Sequence, residues 1–187
     1  MGKVKGTAIS GRLRYAQRRG GDDAVRAVVA AISDAETREQ LADGRALKSA
    51  WYPFETLVET TVAIDRLFGK GDLGILIDVG GDVAEADLNS VYKLFIAVAT
   101  PQYLIDKAAS LWRNYYDTGE LVVAAREPQR ALIELRNFDT PHRAHCLSVL
   151  GWMIRSLQLC GCKDVVGHHE TCRAIGHGQC LFEASWR

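Results

Sequence analysis

The first 141 residues of this 187-residue chain contain no histidine and no cysteine. Any centre built on imidazole or thiolate must therefore come from the last quarter of the sequence. Charge of one sign is also missing: Lys+Arg and Asp+Glu both number 23, so bulk electrostatics imply neither a nucleic acid nor an anionic membrane as partner. No apolar run is long enough to span a bilayer, and Met1-Gly2-Lys3-Val4-Lys5-Gly6 lacks the apolar core of a signal peptide. The expectation is a cytoplasmic protein without membrane insertion. Five cysteines, an odd number, then argue against a disulfide framework and leave the thiols for metal or packing. Catalytic signatures are lacking too. There is no Gly-x-Ser-x-Gly elbow, no dinucleotide fingerprint, and no paired acids in a context that fixes their roles. Neither Gly69-Lys70-Gly71 nor Gly80-Gly81 has the order of a phosphate loop. The expectation is not an enzyme. Repeats and low-complexity linkers are absent, so one domain over 1–187 is expected.

What is present is 48% hydrophobic, enough for an ordinary core. Helical spacing runs through Leu13, Tyr15 and Ala16, then Val25, Val28, Val29 and Ile32, on either side of a Gly20-Gly21 break, with Asp22 as N-cap. Arg12, Arg14, Arg18 and Arg19 read as a solvated basic flank of the first helix. Pro53 opens a helix to Phe68, with Phe54, Leu57, Val58 and Val62 on its apolar stripe. The glycine-containing stretch from Leu73 to Val83 has no clear period. Helices follow at Asp87–Ala99 and Gln102–Tyr116.

Beyond Thr118 the pattern changes. Leu121–Ala125 and Ala131–Leu135 form a hairpin about Arg126-Glu127-Pro128-Gln129. A long helix starts at Thr140-Pro141 and runs to Gly161, and Val165–Thr171 pairs with Leu181–Trp186 in a second hairpin. The fold class expected is α+β: an amino-terminal helical layer (1–117) packed on a roughly four-stranded antiparallel sheet built from two hairpins flanking a long helix (118–187).

All five histidines and all five cysteines fall between His142 and Cys180. Cys146 lies on the apolar stripe of the long helix, and Cys172 and Cys180 flank a glycine-containing loop at the end of the second hairpin. Thiolate with imidazole is the donor set that Zn²⁺ prefers. Strict strand alternation puts His168 and Glu170 on the face of Cys172 and His169 on the other, whereas a bend or bulge at Glu170 or Thr171 brings His169 round. His168, His169 and Glu170 all stay open as the nitrogen or oxygen donor. Cys160 and Cys162, straddling Gly161, read as bystanders, and His142 and His177 as solvent-facing groups.

The segment His145-Cys146-Leu147-Ser148-Val149-Leu150-Gly151-Trp152, with Cys172 and Cys180, resembles the 4-vinyl reductase domain used as an input module by phenol-sensing regulators. That resemblance implies one structural Zn²⁺ on Cys146, His169, Cys172 and Cys180, with His169 where the family usually has glutamate. Val4-Lys5-Gly6-Thr7 and the helices after it resemble the start of the haem-nitric-oxide-binding domain, in the same superfamily as Golgi transport-particle subunits. Haem in that fold implies a proximal histidine in the first two thirds and a Tyr-x-Ser-x-Arg element. Neither is here, so the expectation is a haem-less member. The whole chain is most similar to a myxobacterial paralogous family, through Trp51-Tyr52-Pro53-Phe54, Tyr115-Tyr116-Asp117 and Ser148-Val149-Leu150-Gly151-Trp152.

A shell filled by four protein ligands leaves no open position for substrate, so such a zinc holds shape. Function then rests on binding. Trp51, Tyr52, Phe54, Tyr92, Phe95, Tyr103 and Trp112 are the candidate lining of a pocket between helices and sheet. By resemblance, the ligand is a small apolar, aromatic or lipid-like molecule, and the domain is a homodimeric sensor acting through dimerisation or a signalling partner protein. Two other classes stay open: a protein-interaction or scaffold subunit without ligand, and a vinyl reductase needing a cofactor for which the sequence offers no nucleotide loop.

Overall fold

The computed structural model describes residues 2–88 and 99–187. It is an α+β structure. Six helices accompany two antiparallel sheets among these residues: β1 (Lys3–Lys5), α1 (Gly6–Ala30), α2 (Ala35–Gln40), β2 (Trp51–Pro53), α3 (Phe54–Phe68), α4 (Leu76–Leu88), α5 (Pro101–Tyr115), β3 (Glu120–Glu127), β4 (Arg130–Arg136), α6 (Arg143–Leu159), β5 (Val166–Thr171) and β6 (Cys180–Ser185). The large sheet has the order β3-β4-β6-β5, two hairpins joined through β4 and β6 on either side of the long helix α6. β1 and β2 form a separate ribbon, with Val4 opposite Tyr52 and bridged to Tyr116.

Local chemistry explains most element ends. Gly20 and Gly21 break α1, and Gly21 sits at φ 65°, a conformation that glycine adopts without the steric cost a side chain brings. The Thr100 hydroxyl accepts from Tyr103 N at 3.2 Å, with Pro101 at the first helical position of α5. The long helix begins later than its Thr140-Pro141 pattern suggests. His142 is the cap, its Nδ1 accepting from Ala144 N at 3.1 Å. Two elements lie outside the sequence reading altogether: α2, capped by Asp34 accepting from Thr37 N at 2.7 Å, and the short β1–β2 ribbon.

The segment without a clear period, Leu73 to Val83, lies largely in α4, where Gly80 is a packing position rather than a breaker. Its partner is α6, in the most extensive helix contact among the described residues. The helix expected at Asp87–Ala99 is met only at Asp87 and Leu88, the end of α4; residues 89–98, with Tyr92 and Phe95, lie outside the described residues. The core runs through both halves of the chain, from Ile9, Phe54 and Leu57 to Leu135, Leu150 and Phe182. No helix is long and apolar enough to cross a membrane among the described residues.

Candidate metal centre and adjoining cavity

Four side chains converge where α6 meets the second hairpin. One ligand atom each from Cys146, His169, Cys172 and Cys180 lies within 4.8 Å of every other, the size of a tetrahedral first coordination sphere. The three cysteines are buried and free of disulfides. Helical periodicity delivers Cys146, on the stripe with Leu150 and Met153. The hairpin delivers the rest. The β5–β6 register shifts between His169 and Thr171, so Glu170 is the extra residue of a bulge, and Cys172 and His169 come to the same side. His168 and Glu170 are left exposed, with His168 opposite Glu183. His169 stacks on Phe182 across the strands at 4.5 Å and 7°.

The loop is ordered by bonds to the cysteines. Arg173 N–H donates to Cys180 Sγ at 3.3 Å, Cys172 N–H donates to His177 Nδ1 at 2.9 Å, and a 3₁₀ turn over Arg173–Ile175 ends at Gly176 with φ 93°. His177 therefore braces the loop from its exposed position. Cys146 acts as thiol donor to Cys180, which pushes the Cys146 pKa up and draws that of Cys180 down; Arg173 N–H and His169 add to the second effect. Burial pushes Cys172 up and holds His169 below the usual imidazole range, in the neutral form that ligates metal. His169 Nε2 is buried with no hydrogen-bond partner. A buried orphan nitrogen beside three sulfurs fits a soft tetrahedral ion. Cys160 and Cys162, half-buried at the end of α6, stand outside the cluster.

On α6, one turn further, Ser148, Val149, Trp152 and Met153 line a cavity of about 100 Å³ shared with α1, α4 and α5. Of the expected pocket residues that are described, only Trp112 lines it. Trp51 and Tyr103 are 40% and 47% exposed, Trp51 beneath the Lys5 ammonium at 4.2 Å. Tyr52 and Phe54 are core. The Tyr52 hydroxyl accepts from Leu47 N at 3.0 Å, and Phe54 packs edge-on against Phe138 and His145, both at 5.0 Å. Aromatic content alone does not tell a pocket wall from a core.

The sequence reading also placed Arg12 wrongly. It lies in the cavity wall at 5% exposure rather than on the solvated flank, where Arg14 and Arg18 do pair with Asp87 and Asp82 of α4. The signal was periodic: Arg12 shares the stripe of Ala8, Ile9 and Ala16, all buried.

No protein-family model matches the chain, and no curated protein does. Solved structures do match. An H-NOX protein from S. oneidensis in the Fe(II)NO ligation state is 12% identical with a TM-score of 0.72, over 98% of this chain and 99% of its own. The Fe(II) unliganded H-NOX protein from K. algicida is 12% identical with a TM-score of 0.70, over 98% and 97%. A structure described as modulating haem redox potential through porphyrin distortion is 11% identical at 0.66, over 97% and 99%. The likeness of the opening residues to the haem-nitric-oxide fold thus extends over the whole chain.

These comparisons overturn the expectation of a haem-less domain. The matched proteins carry iron, NO and haem in their descriptions, whereas the argument against haem rested on the lack of an early proximal histidine and of a Tyr-x-Ser-x-Arg element. Haem iron also takes cysteine, methionine or tyrosine, so the missing histidine before His142 excludes only one way of holding it. The structural Zn²⁺ expected on Cys146, His169, Cys172 and Cys180 has no counterpart in those descriptions and rests on the Cys/His cluster alone. The cavity lining holds Met153 and Tyr115 as donors of the alternative kinds, and no histidine among the described residues. At about 100 Å³ the cavity is too small for a porphyrin in this conformation.

Proposed function

We propose that the chain is a cytoplasmic small-molecule sensor module in which one helix links a ligand cavity to a metal clamp. The observation that carries this reading is the double role of α6. It gives Cys146 to the four-residue cluster and, from the next turn, Ser148, Val149, Trp152 and Met153 to the cavity. An ion on Cys146, His169, Cys172 and Cys180 pins the β5–β6 hairpin to that helix. Zn²⁺ is the ion whose donor preference the set fits, in the pattern that the vinyl-reductase resemblance implies. With four protein ligands the ion has no place for substrate, which supports a shape-holding role and a non-enzymatic module. The fold shared with H-NOX proteins supports a sensing role. A ligand entering between α1, α4, α5 and α6 alters the seat of α6, and the rigid clamp passes that change to the hairpin, where a second copy or a signalling partner reads it.

Native mass spectrometry beside elemental analysis tests this on wild type and Cys172→Ala. The expected result is one Zn²⁺ per wild-type chain, lost in Cys172→Ala, together with uptake of a small organic molecule that quenches tryptophan fluorescence. Haem is offered among the ligands, with its visible absorbance as readout. Metal-free wild-type protein removes the clamp; a folded chain indifferent to every small molecule, haem included, removes the sensor.

A further inference from the structure

Arg12 is a buried cation without a carboxylate at ion-pair distance among the described residues. Its hydrogen bonds go to neutral acceptors: Nε to Thr61 Oγ1 at 3.3 Å, Nη1 to Ala8 O at 3.5 Å and Nη2 to Ser148 Oγ at 2.6 Å. A guanidinium carries five N–H donors, so its capacity is not exhausted. Burial pulls its pKa down, with Tyr116 and Asp87 pulling back, yet arginine stays charged in proteins. A buried charge without a partner is strongly disfavoured, and proteins keep one where something else supplies the counter-charge.

The surroundings say what that something is. Arg12 is the one basic residue among the described lining, and much of the remaining wall is apolar, with Val83, Leu111, Trp112 and Met153. At about 100 Å³ the space is of the order of the roughly 150 Å³ engineered cavity that takes benzene, so the occupant is about one ring in size. Asp87 lines the same space; burial raises its carboxyl pKa, and Arg14, at 3.9 Å, opposes the rise. One cation beside an acid suits a monoanion and repels a dianion such as phosphate. The planar fork of arginine matches a carboxylate.

We infer that the cavity takes a small monocarboxylate with an apolar body, its carboxylate paired with Arg12 and its body against Trp112 and Met153. This rests on the sensor reading and names the chemical class of its ligand. A neutral molecule would leave the guanidinium as it is now, whereas a carboxylate would meet it where water is excluded and the attraction is strong.

The test titrates purified wild type, Arg12→Met and Arg12→Lys with benzoate and with benzamide, a neutral molecule of nearly the same shape, following tryptophan fluorescence and calorimetric heat. Trp112 and Trp152 line the cavity and report entry. Wild type is expected to take benzoate at least 10-fold more tightly than benzamide. Arg12→Met should lose that preference while still taking benzamide, and Arg12→Lys should fall between. Should Arg12→Met not fold, the wild-type ratio and Arg12→Lys carry the decision. Benzamide held as tightly as benzoate by wild type, or an unchanged preference in a folded Arg12 variant, overturns the carboxylate pairing and leaves the sensor reading standing. Wild type that takes neither molecule overturns the carboxylate pairing, and the sensor reading then stands or falls on the wider ligand screen with haem.

Discussion

Gly80 on α4 and Ser148 on α6 meet backbone to backbone: a β-carbon on Gly80 would lie 1.9 Å from the Ser148 carbonyl oxygen. The contact repeats between Gly151 on α6 and the Ile77 carbonyl oxygen, again at 1.9 Å. Both obstacles are backbone atoms, so neither can yield by a side-chain rotation. Ser148 is also the residue whose hydroxyl accepts from Arg12, so the closeness of the two helices sets the depth of the buried cation.

Gly80→Ala and Gly151→Ala are therefore expected to destabilise the protein by at least the about 1–3 kcal/mol of ordinary overpacking. Gly81→Ala is the control. Its β-carbon would meet nothing closer than Arg155 Cβ at 3.5 Å, an ordinary contact. There the gain of roughly 0.5–1 kcal/mol from replacing a helical glycine should appear unopposed. Urea denaturation of the three variants decides. Equal effects at Gly80 and Gly81 would show that the helices are not in backbone contact.

The bulge at Glu170 separates one imidazole from the other. His169 faces the three sulfurs, and His168 faces water beside Glu183. His169→Ala should lose Zn²⁺ to a competing chromophoric chelator at concentrations that His168→Ala and Glu170→Ala withstand. His177→Ala removes the acceptor of Cys172 N–H and should weaken binding by about 10–100-fold, the usual cost of losing an orienting group. Zinc loss in His168→Ala with retention in His169→Ala would place the wrong histidine on the ion.

Tyr116 and His145 hold each other in the core, the Tyr116 hydroxyl 2.9 Å from His145 Nε2. Burial pushes the Tyr116 pKa up to about 12 from 10, with Arg12 opposing. The unfolded phenol ionises first, so over pH 10 to 12 the unfolded state binds fewer protons and stability falls as pH rises. The contribution is whole below pH 10 and gone above about 12. Absorbance titration of tyrosinate in folded wild type should show Tyr116 lagging behind exposed tyrosines, and Tyr116→Phe should remove that phase. The substitution also leaves His145 Nε2 buried and unpaired, at a cost of about 1–3 kcal/mol at neutral pH.

What could be read in advance follows physical lines. Pro101, Gly20-Gly21 and the apolar run Ala131–Leu135 are local signals, and they placed α5, the break in α1 and one of the two central strands. The metal cluster was legible because Cys146, Cys172 and Cys180 are scarce residue types gathered in one stretch, and because a bulge could be anticipated where alternation failed. α4 was hidden because Gly80 and Gly81 have the composition of a loop, and the purpose of Gly80 lies on another helix some seventy residues away. Arg12 was hidden by its neighbours Arg14, half-buried, and Arg18, exposed, which pair with Asp87 and Asp82; its helical phase with Ile9 and Ala16 sets it apart.

The same difficulty with aromatics gives a last test. Trp51 and Phe54 belong to one four-residue stretch and have opposite surroundings. Phe54 is 2% exposed, edge-on to Phe138, His145 and Tyr116, while Trp51 lies on the surface with Lys5 above its ring. Phe54→Ala should cost about 3–5 kcal/mol, since the cage of rings around it cannot collapse without breaking its own edge-to-face contacts. Trp51→Ala should stay within about 1 kcal/mol, the worth of an exposed cation–π contact. Neither residue lines the cavity, so in chains that remain folded both variants should bind a cavity ligand as wild type does, whereas Trp112→Ala should not. Chemical denaturation gives the first two values, and ligand titration of the folded variants gives the third. A loss of ligand affinity in Trp51→Ala, with stability unchanged, would move the binding site from the α1–α4–α5–α6 cavity to the β1–β2 ribbon.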